Sequence, residues 1–327
     1  MKIKKVVALA ATCAIGISTL VGCSSVENKG SNGGSSSSGS VTLDVNGKDI
    51  TYDKVPERVV ALNFENLQTL VALGLEDKIV GYTSAHFKLE EMLPEYQSKM
   101  KDLNCIGLSA AYEPVLNLNP DFIYAYEWSF NNESLTEPDD LLNEGIKYYM
   151  EYGNRKSNTD HKYEYVYQDL RDLGKIFHVE DRAEEIISGL EKRVADVESK
   201  AVKNSPRVFI YDSGDKQAYT AGKRALQSKM LETCGAVNVF EDLDADYEEV
   251  SWEEVAKRNP EWILINEYED ENLTESKTEF LKNNDALKDC DAIKNNKIIS
   301  INLIELREGL QFVDGLDKTL DALSKGE

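Results

Sequence analysis

From Val41 onward, short β-branched or aromatic runs alternate with amphipathic segments. The strand-like runs are RVVAL (Arg58 to Leu62), KIVGYT (Lys78 to Thr83), DFIYAY (Asp121 to Tyr126) and KYYMEY (Lys147 to Tyr152), then RVFIYD (Arg207 to Asp212), AYTAG (Ala218 to Gly222), EWILIN (Glu261 to Asn266) and KIISIN (Lys297 to Asn302). Helical spacing fills most of the gaps, and a chain that alternates in this way builds parallel sheets covered on both faces. The predicted fold is α/β, with two lobes of mainly parallel, Rossmann-like sheet.

A strand-free region from Asn158 to Ser205 separates the two groups of runs. Within it Ala183, Ile186, Ile187, Leu190, Val194, Val197 and Ala201 recur at steps of three and four, one apolar stripe on a helix. A helix from Asp181 to Lys200 would be about 30 Å long, enough to bridge two lobes. The expected organisation is an N-terminal lobe over 43–160, a linker region over 161–204 with the interlobe helix at about 181–200, and a C-terminal lobe over 205–327.

One short pattern occurs in each group. EPVLNLNPDFIYAY (Glu113 to Tyr126) and EEVAKRNPEWILIN (Glu253 to Asn266) share a leading Glu, a Val, an Asn-Pro step, an acid, an aromatic and an Ile in register. The residue before proline is pushed out of the α region, so the Asn-Pro step ends a helix and the apolar run behind it starts a strand. Glu113 and Glu253 then sit near helix starts, with Pro114 as a first-turn residue beside one and a Ser251–Glu254 capping box around the other. An acid in a first helical turn is favoured by the helix dipole by about 0.3–1 kcal/mol and needs no further function.

Residues 1–22 read as an export signal: Lys2, Lys4 and Lys5, then an apolar stretch too short for a comfortable membrane span. It ends at Leu20-Val21-Gly22-Cys23, which resembles the lipobox of bacterial lipoproteins, in which Cys23 would carry the lipid. The Ser- and Gly-rich stretch that follows, within 23–42, has nothing to bury and suits a flexible tether. The expected location is the outer face of the cell membrane.

The formal charge is −22, and removal of the signal leaves 34 basic against 59 acidic residues, or −25. So acidic a chain argues against nucleic acid and against broad contact with anionic lipid, so the lipid alone would hold it to the membrane. Cys105, Cys234 and Cys290 remain, an odd number that forms no disulfide framework.

The order of these pieces resembles the substrate-binding lipoproteins of ABC importers for ferric siderophores, haem and cobalamin. PERVVALNFENLQTLVALGLEDKIVGYTS (Pro56 to Ser84) is similar to the family's opening, YEPVLNLNPDFIYAY to its first-lobe signature, VYQDLRDLGKIFHVEDRAEEI to its linker, and AYTAGKRALQSKMLETCGAVNVFED with VSWEEVAKRNPEWILI to its second-lobe signature. Gly235-Ala236 departs from the family's usual Gly-Gly, and Cys234 beside it reads as a small buried residue. The resemblance implies a monomeric, non-enzymatic receptor without a cofactor, working with a permease dimer and its ATPase subunits. It implies that Glu113 and Glu253 dock the lobes onto the two permease subunits.

Ligands of open α/β sheets gather beyond the carboxyl ends of the strands. That rule points to Tyr82 and His86, Glu127 and Trp128, Tyr152 and Arg155 in the first lobe, and to Tyr219, Lys223, Arg224, Tyr268 and Arg307 in the second. Aromatic and basic groups facing each other would suit a bulky, often anionic ferric chelate, although each cation could instead pair with one of the many carboxylates. Direct metal ligation is disfavoured, because His86, His161 and His178 are widely spaced and no paired Cys or His motif occurs.

Haem would favour an axial Tyr or His in an apolar cleft, and a free oxyanion such as molybdate a small pocket of main-chain donors. A tethered enzyme is the reading from another class, yet no Gly-x-Ser-x-Gly, Walker loop or His-Glu-x-x-His is present. A structural adhesin would bind no small molecule.

Overall fold

The computed structural model describes residues 39–84, 87–131, 133–268 and 271–325. Cys23 and His86 lie outside them. An antiparallel hairpin comes first, β1 (Val41–Val45) and β2 (Lys48–Tyr52), so β1 begins ahead of residue 43, where the first lobe was expected to start. Its turn is Asn46-Gly47, both at positive φ, the dipeptide that best tolerates a two-residue hairpin turn.

Next come β3 (Val59–Leu62), β4 (Ile79–Thr83), β5 (Cys105–Gly107), β6 (Phe122–Ala125) and β7 (Lys147–Met150), all parallel, in the order β5-β4-β3-β6-β7. Helices α1 (Phe64–Ala72), α2 (Pro94–Met100), α3 (Tyr112–Leu116) and α4 (Pro138–Asn143) alternate with them. All four predicted strands of this lobe are present; the periodicity missed short β5, whose Cys105 and Gly107 are exposed, and the β1–β2 hairpin.

Two helices fill the region expected to be strand-free: α5 (Tyr163–Phe177) and α6 (Glu180–Ser199). They pack closely because Gly174 faces Ala183; a β-carbon on Gly174 would stand 3.0 Å from that of Ala183. The stripe expected on α6 is buried at Ala183, Ile187, Leu190 and Val197. Near its start Arg182 Nε donates to the Ala72 carbonyl at the end of α1 (2.9 Å), and just past its end Val202 N donates to Cys234 O (3.0 Å).

The remainder forms β8 (Arg207–Tyr211), β9 (Ala218–Ala221), β10 (Val237–Asn238), β11 (Tyr247–Val250), β12 (Trp262–Glu267) and β13 (Ile298–Asn302), with α7 (Leu226–Thr233), α8 (Trp252–Arg258), α9 (Glu271–Asn283), α10 (Asp291–Lys294) and α11 (Phe312–Ser324). Strands β10-β8-β12-β13 make a parallel sheet, and β9 pairs with β11 as a separate antiparallel ribbon. Alternation along β8 sends Val208 and Ile210 into a core shared with the first sheet, and Phe209 and Tyr211 into a second cluster with Phe240 and Trp252. Residues 38–327 form one compact unit, in which that shared core is continuous from sheet to sheet.

A second crossing joins the sheets. After β13, Asn302 Nδ2 donates to Glu91 Oε1 (2.6 Å), while Gln311 Nε2 donates to Glu91 O (3.1 Å) and Gln68 Oε1 (3.2 Å). The lobes are thus tied both by α6 and by the 302–311 segment.

Candidate functional site

The repeated pattern becomes the same corner in both lobes. Asn119 (φ 47°), three residues past the end of α3, and Asn259 (φ 44°), which caps α8, both take the left-handed region, which asparagine enters more cheaply than other non-glycine residues, and Pro120 and Pro260 lead into β6 and β12. An arginine at the edge of each lobe's first sheet strand clasps its corner: Arg58 Nε donates to Asn119 O (2.8 Å) and Arg207 Nη2 to Asn259 O (2.9 Å). The acid after each proline accepts that arginine's backbone N–H, at 2.8 Å for Asp121 and 2.9 Å for Glu261.

A helix feeding a parallel strand runs back against it, so Glu113 and Glu253 lie on the edge where the strands end. Both are exposed, and neither side chain bonds or ion-pairs with a described residue. Their neighbour Glu254 is different. Ser251 Oγ accepts from Glu254 N (3.2 Å), but the Glu254 carboxylate turns to Arg258 (2.9 Å) and Lys257 (3.2 Å), so only half of the expected capping box forms.

In the first sheet the strand order reverses between β3 and β6, and in the second between β8 and β12. Crevices open at such reversals. At the first, Asn63 (φ 108°) turns sharply into α1 and places Glu65 in its first turn, while Tyr126 and Trp128 follow β6. At the second, Asp212 follows β8 and Tyr268 follows β12. The loop after β13 carries Arg307, and a cavity of about 320 Å³ is lined by Asp212, Tyr219, Gln227, Tyr247, Arg307 and Glu308 among others.

Arg307 joins the lobes. Its guanidinium lies 4.8 Å from the Tyr126 ring centre, and Nη1 is 3.4 Å from Oε1 of Glu65, which is only 2% exposed. Burial opposes its charge, yet Tyr126 and the carboxyls of Glu65, Glu151 and Glu308 push its pKa up. Trp128, 51% exposed, stacks on Tyr126 at 5.5 Å. Tyr219, 40% exposed, stacks on Tyr247 at 5.3 Å. Each lobe therefore offers one open aromatic face backed by a buried or half-buried ring.

His161 bridges the crossover and the second lobe, with Nδ1 on Glu308 and Nε2 3.5 Å from Asp246 Oδ2. Burial disfavours its charge, but Glu308 first and then Asp246 outweigh it and push the pKa to about 9. Among the described residues no cation is in contact with Glu151; burial, then Asp169 and Glu65, push its pKa well above the carboxylate range.

Several expected cleft residues lie elsewhere or are already engaged. Arg155 is 4% exposed: Nε and Nη2 donate to Met150 O, Nη1 donates to Asp44 O (2.8 Å), and its plane lies over Tyr149 and Tyr152. It clasps the β1–β2 hairpin instead of facing a ligand, because unpaired carbonyls at a buried sheet end need donors. Tyr82 is a core residue packed on Phe64 at 5.5 Å. Tyr152 is half-buried against Tyr165, Glu127 pairs with Lys156 (3.4 Å), and Arg224 lies 3.6 Å from Asp246. Exposed Lys223 stands in a neighbouring hollow with Asp160, Glu164, Glu241 and Asp244. The Tyr268 hydroxyl approaches Asp212 (3.5 Å), and Lys277 covers its ring (3.9 Å).

Glu65, Tyr126, Asp212, Tyr247 and Glu308 were not anticipated. Tyr126 and Asp212 are the last letters of the predicted runs DFIYAY and RVFIYD, so their positions were legible, whereas Glu65 and Glu308 needed the fold. Among the described residues no group of three or more His, Cys, Asp or Glu is arranged to hold a metal, and the three cysteines are free.

Comparison with known proteins agrees with this architecture. A family model described as periplasmic binding protein matches residues 59–303. The uncharacterized ABC transporter substrate-binding lipoprotein YvrC of Bacillus subtilis (strain 168) is 24% identical over 290 residues, covering 86% of this chain and 85% of that one. The petrobactin-binding protein YclQ of the same organism is 26% identical over 269 residues, covering 80% and 78%. The crystal structure of a periplasmic binding protein from Veillonella parvula dsm 2008 superposes with a TM-score of 0.78 at 27% identity, covering 86% of this chain and 97% of its own. With the family match spanning both sheets, the chain belongs to the periplasmic binding protein family, whose members bind substrates for ABC transporters and are not enzymes.

Proposed function

We propose that this protein is a lipid-anchored receptor on the outer face of the cell membrane that holds a bulky metal chelate, a ferric siderophore foremost, between its lobes and delivers it to an ABC permease dimer. The carrying observation is the pair of aromatic steps, Trp128 on Tyr126 just past β6 of the first sheet and Tyr219 on Tyr247 in the β9–β11 ribbon, with Arg307 against Tyr126 and in the same cavity as Tyr219 and Tyr247. Open rings of this size cover the apolar arms of a large organic ligand, whereas a free oxyanion needs main-chain donors instead. The name of YclQ supports the iron-chelate reading. Cys23 would carry the lipid, and Glu113 and Glu253, one per lobe and both unengaged, would seat the protein on the two permease subunits.

The test is titration of the soluble 24–327 fragment with ferric hydroxamates, ferric catecholates, ferric citrate, haem, cobalamin and molybdate, by tryptophan fluorescence and calorimetry. Trp128 is exposed whereas Trp252 and Trp262 are buried, so quenching by a bound chelate reports on the cleft. Saturable binding of one ferric class is expected, weakened about tenfold by Trp128→Ala. Flat calorimetry across the panel would overturn the reading.

A further inference from the structure

Resting on the chelate reading, we infer that the cleft selects ligands of neutral or positive net charge and rejects polyanionic ones. The cations at the cleft are already matched. Arg307 has Glu65 at 3.4 Å, Arg224 has Asp246 at 3.6 Å, and His161 has both Glu308 and Asp246. Lys277, buried behind the wall, donates to Asn266 O (2.8 Å) and covers the Tyr268 ring.

Asp212 stands apart from these pairs. The side chains that bond its carboxylate are all neutral: Asn266 Nδ2 at 2.9 Å, Ser213 Oγ at 3.0 Å and the Tyr268 hydroxyl at 3.5 Å. It is half-buried and lines the cavity. A carboxylate held by neutral donors keeps its charge for a partner that arrives from solution.

Two further features have the same sign. The open faces of Trp128 and Tyr219 carry the negative side of the ring quadrupole, and Arg307 already exploits that property of Tyr126. The Glu65 carboxylate is buried and accepts no hydrogen bond from a described residue, so an anion that captured Arg307 would strip its ion-pair partner and leave a buried charge unpaired. A cationic arm laid over Tyr219 towards Asp212 would face none of these costs.

The experiment compares three ferric complexes by calorimetry on the 24–327 fragment: a linear trihydroxamate with a free ammonium arm, a neutral cyclic trihydroxamate and a trianionic tricatecholate. The cationic and neutral complexes should bind at least about tenfold more tightly than the trianion, and added salt should weaken only the cation's binding. Asp212→Asn, which keeps the shape and one of the two acceptor oxygens, should cost the cationic complex about tenfold and leave the neutral one unchanged. Trianion binding as tight as the others would overturn charge selection while leaving the chelate reading intact. No heat from any complex would overturn both, and an Asp212→Asn protein that still separates cation from neutral complex as before would remove Asp212 from the device.

Discussion

The corners at Asn119-Pro120 and Asn259-Pro260 share few letters, yet each sets an exposed glutamate, a left-handed asparagine and an arginine clasp in the same relation. They differ where side-chain length matters. Asp121 receives both Glu57 N (3.1 Å) and Arg58 N (2.8 Å), whereas the longer Glu261 receives Arg207 N and also reaches that residue's guanidinium (3.4 Å). Beyond the strands the likeness ends: a short helical turn carries Trp128 in one lobe, while the other relies on the β9–β11 ribbon to bring Tyr219 and Tyr247 to the cleft. The duplicated parts hold the frame, and the parts that diverge present the open aromatic rings, of which Tyr219 lines the cavity.

The largest effect should come from the pair of corner acids. Glu113→Ala with Glu253→Ala should abolish chelate uptake by whole cells and leave calorimetric affinity unchanged, since neither carboxylate bonds or ion-pairs with a described residue; a matching loss of affinity would break the division between frame and cleft. Next, Phe122→Ala in the shared core and Phe209→Ala in the second cluster should each cost about 3–5 kcal/mol in urea unfolding. A single transition in both variants would show the lobes unfolding together, as their continuous core implies; two transitions would separate them.

Smaller changes sharpen the comparison. Asn119→Ala should cost about 1–2 kcal/mol and its glycine variant should be nearly neutral, because only the left-handed backbone is at issue there; Asn259→Ala should cost more, and its glycine variant should still destabilise, because the Asn259 side chain also donates to Asp291 Oδ2 (2.9 Å) and accepts from Asp291 N (2.9 Å). Equal costs at the two sites would mean that the Asn259–Asp291 bonds contribute nothing. Finally, His161 has a folded pKa raised from 6.5 to about 9, so its contribution is complete below pH 6.5 and is lost as pH rises through 9. His161→Gln should flatten the alkaline decline in stability, read as melting temperature against pH.

Most of the frame was legible because burial on both faces leaves a strong signature. Runs such as RVVAL and EWILIN could be placed to within a residue or so, and the α6 stripe likewise. The β1–β2 hairpin and α5 lie outside the predicted elements, although Asn46-Gly47 announces the one and Leu170, Leu173 and Phe177 on an inward face announce the other. The cleft was legible only in part. Counting residues past a strand end selected Trp128 and Tyr219, which present exposed rings, and Arg307, which lines the cavity, but it also selected Arg155 and Tyr82, which satisfy backbone and core.

Local pattern by itself determined that this chain alternates strand and helix, that two acids open two similar corners, and that one long helix follows the first lobe. Those features depend on steric limits at Asn-Pro and on periodic burial, both written within a few neighbouring residues. Tertiary structure alone decided which charges remain available. Whether an arginine meets a carbonyl, a buried glutamate or open solvent depends on residues far away in sequence, as Arg307 and Glu65 show across the two lobes, and desolvation there turns a cation that looked ready for an anionic ligand into one already held by a carboxylate.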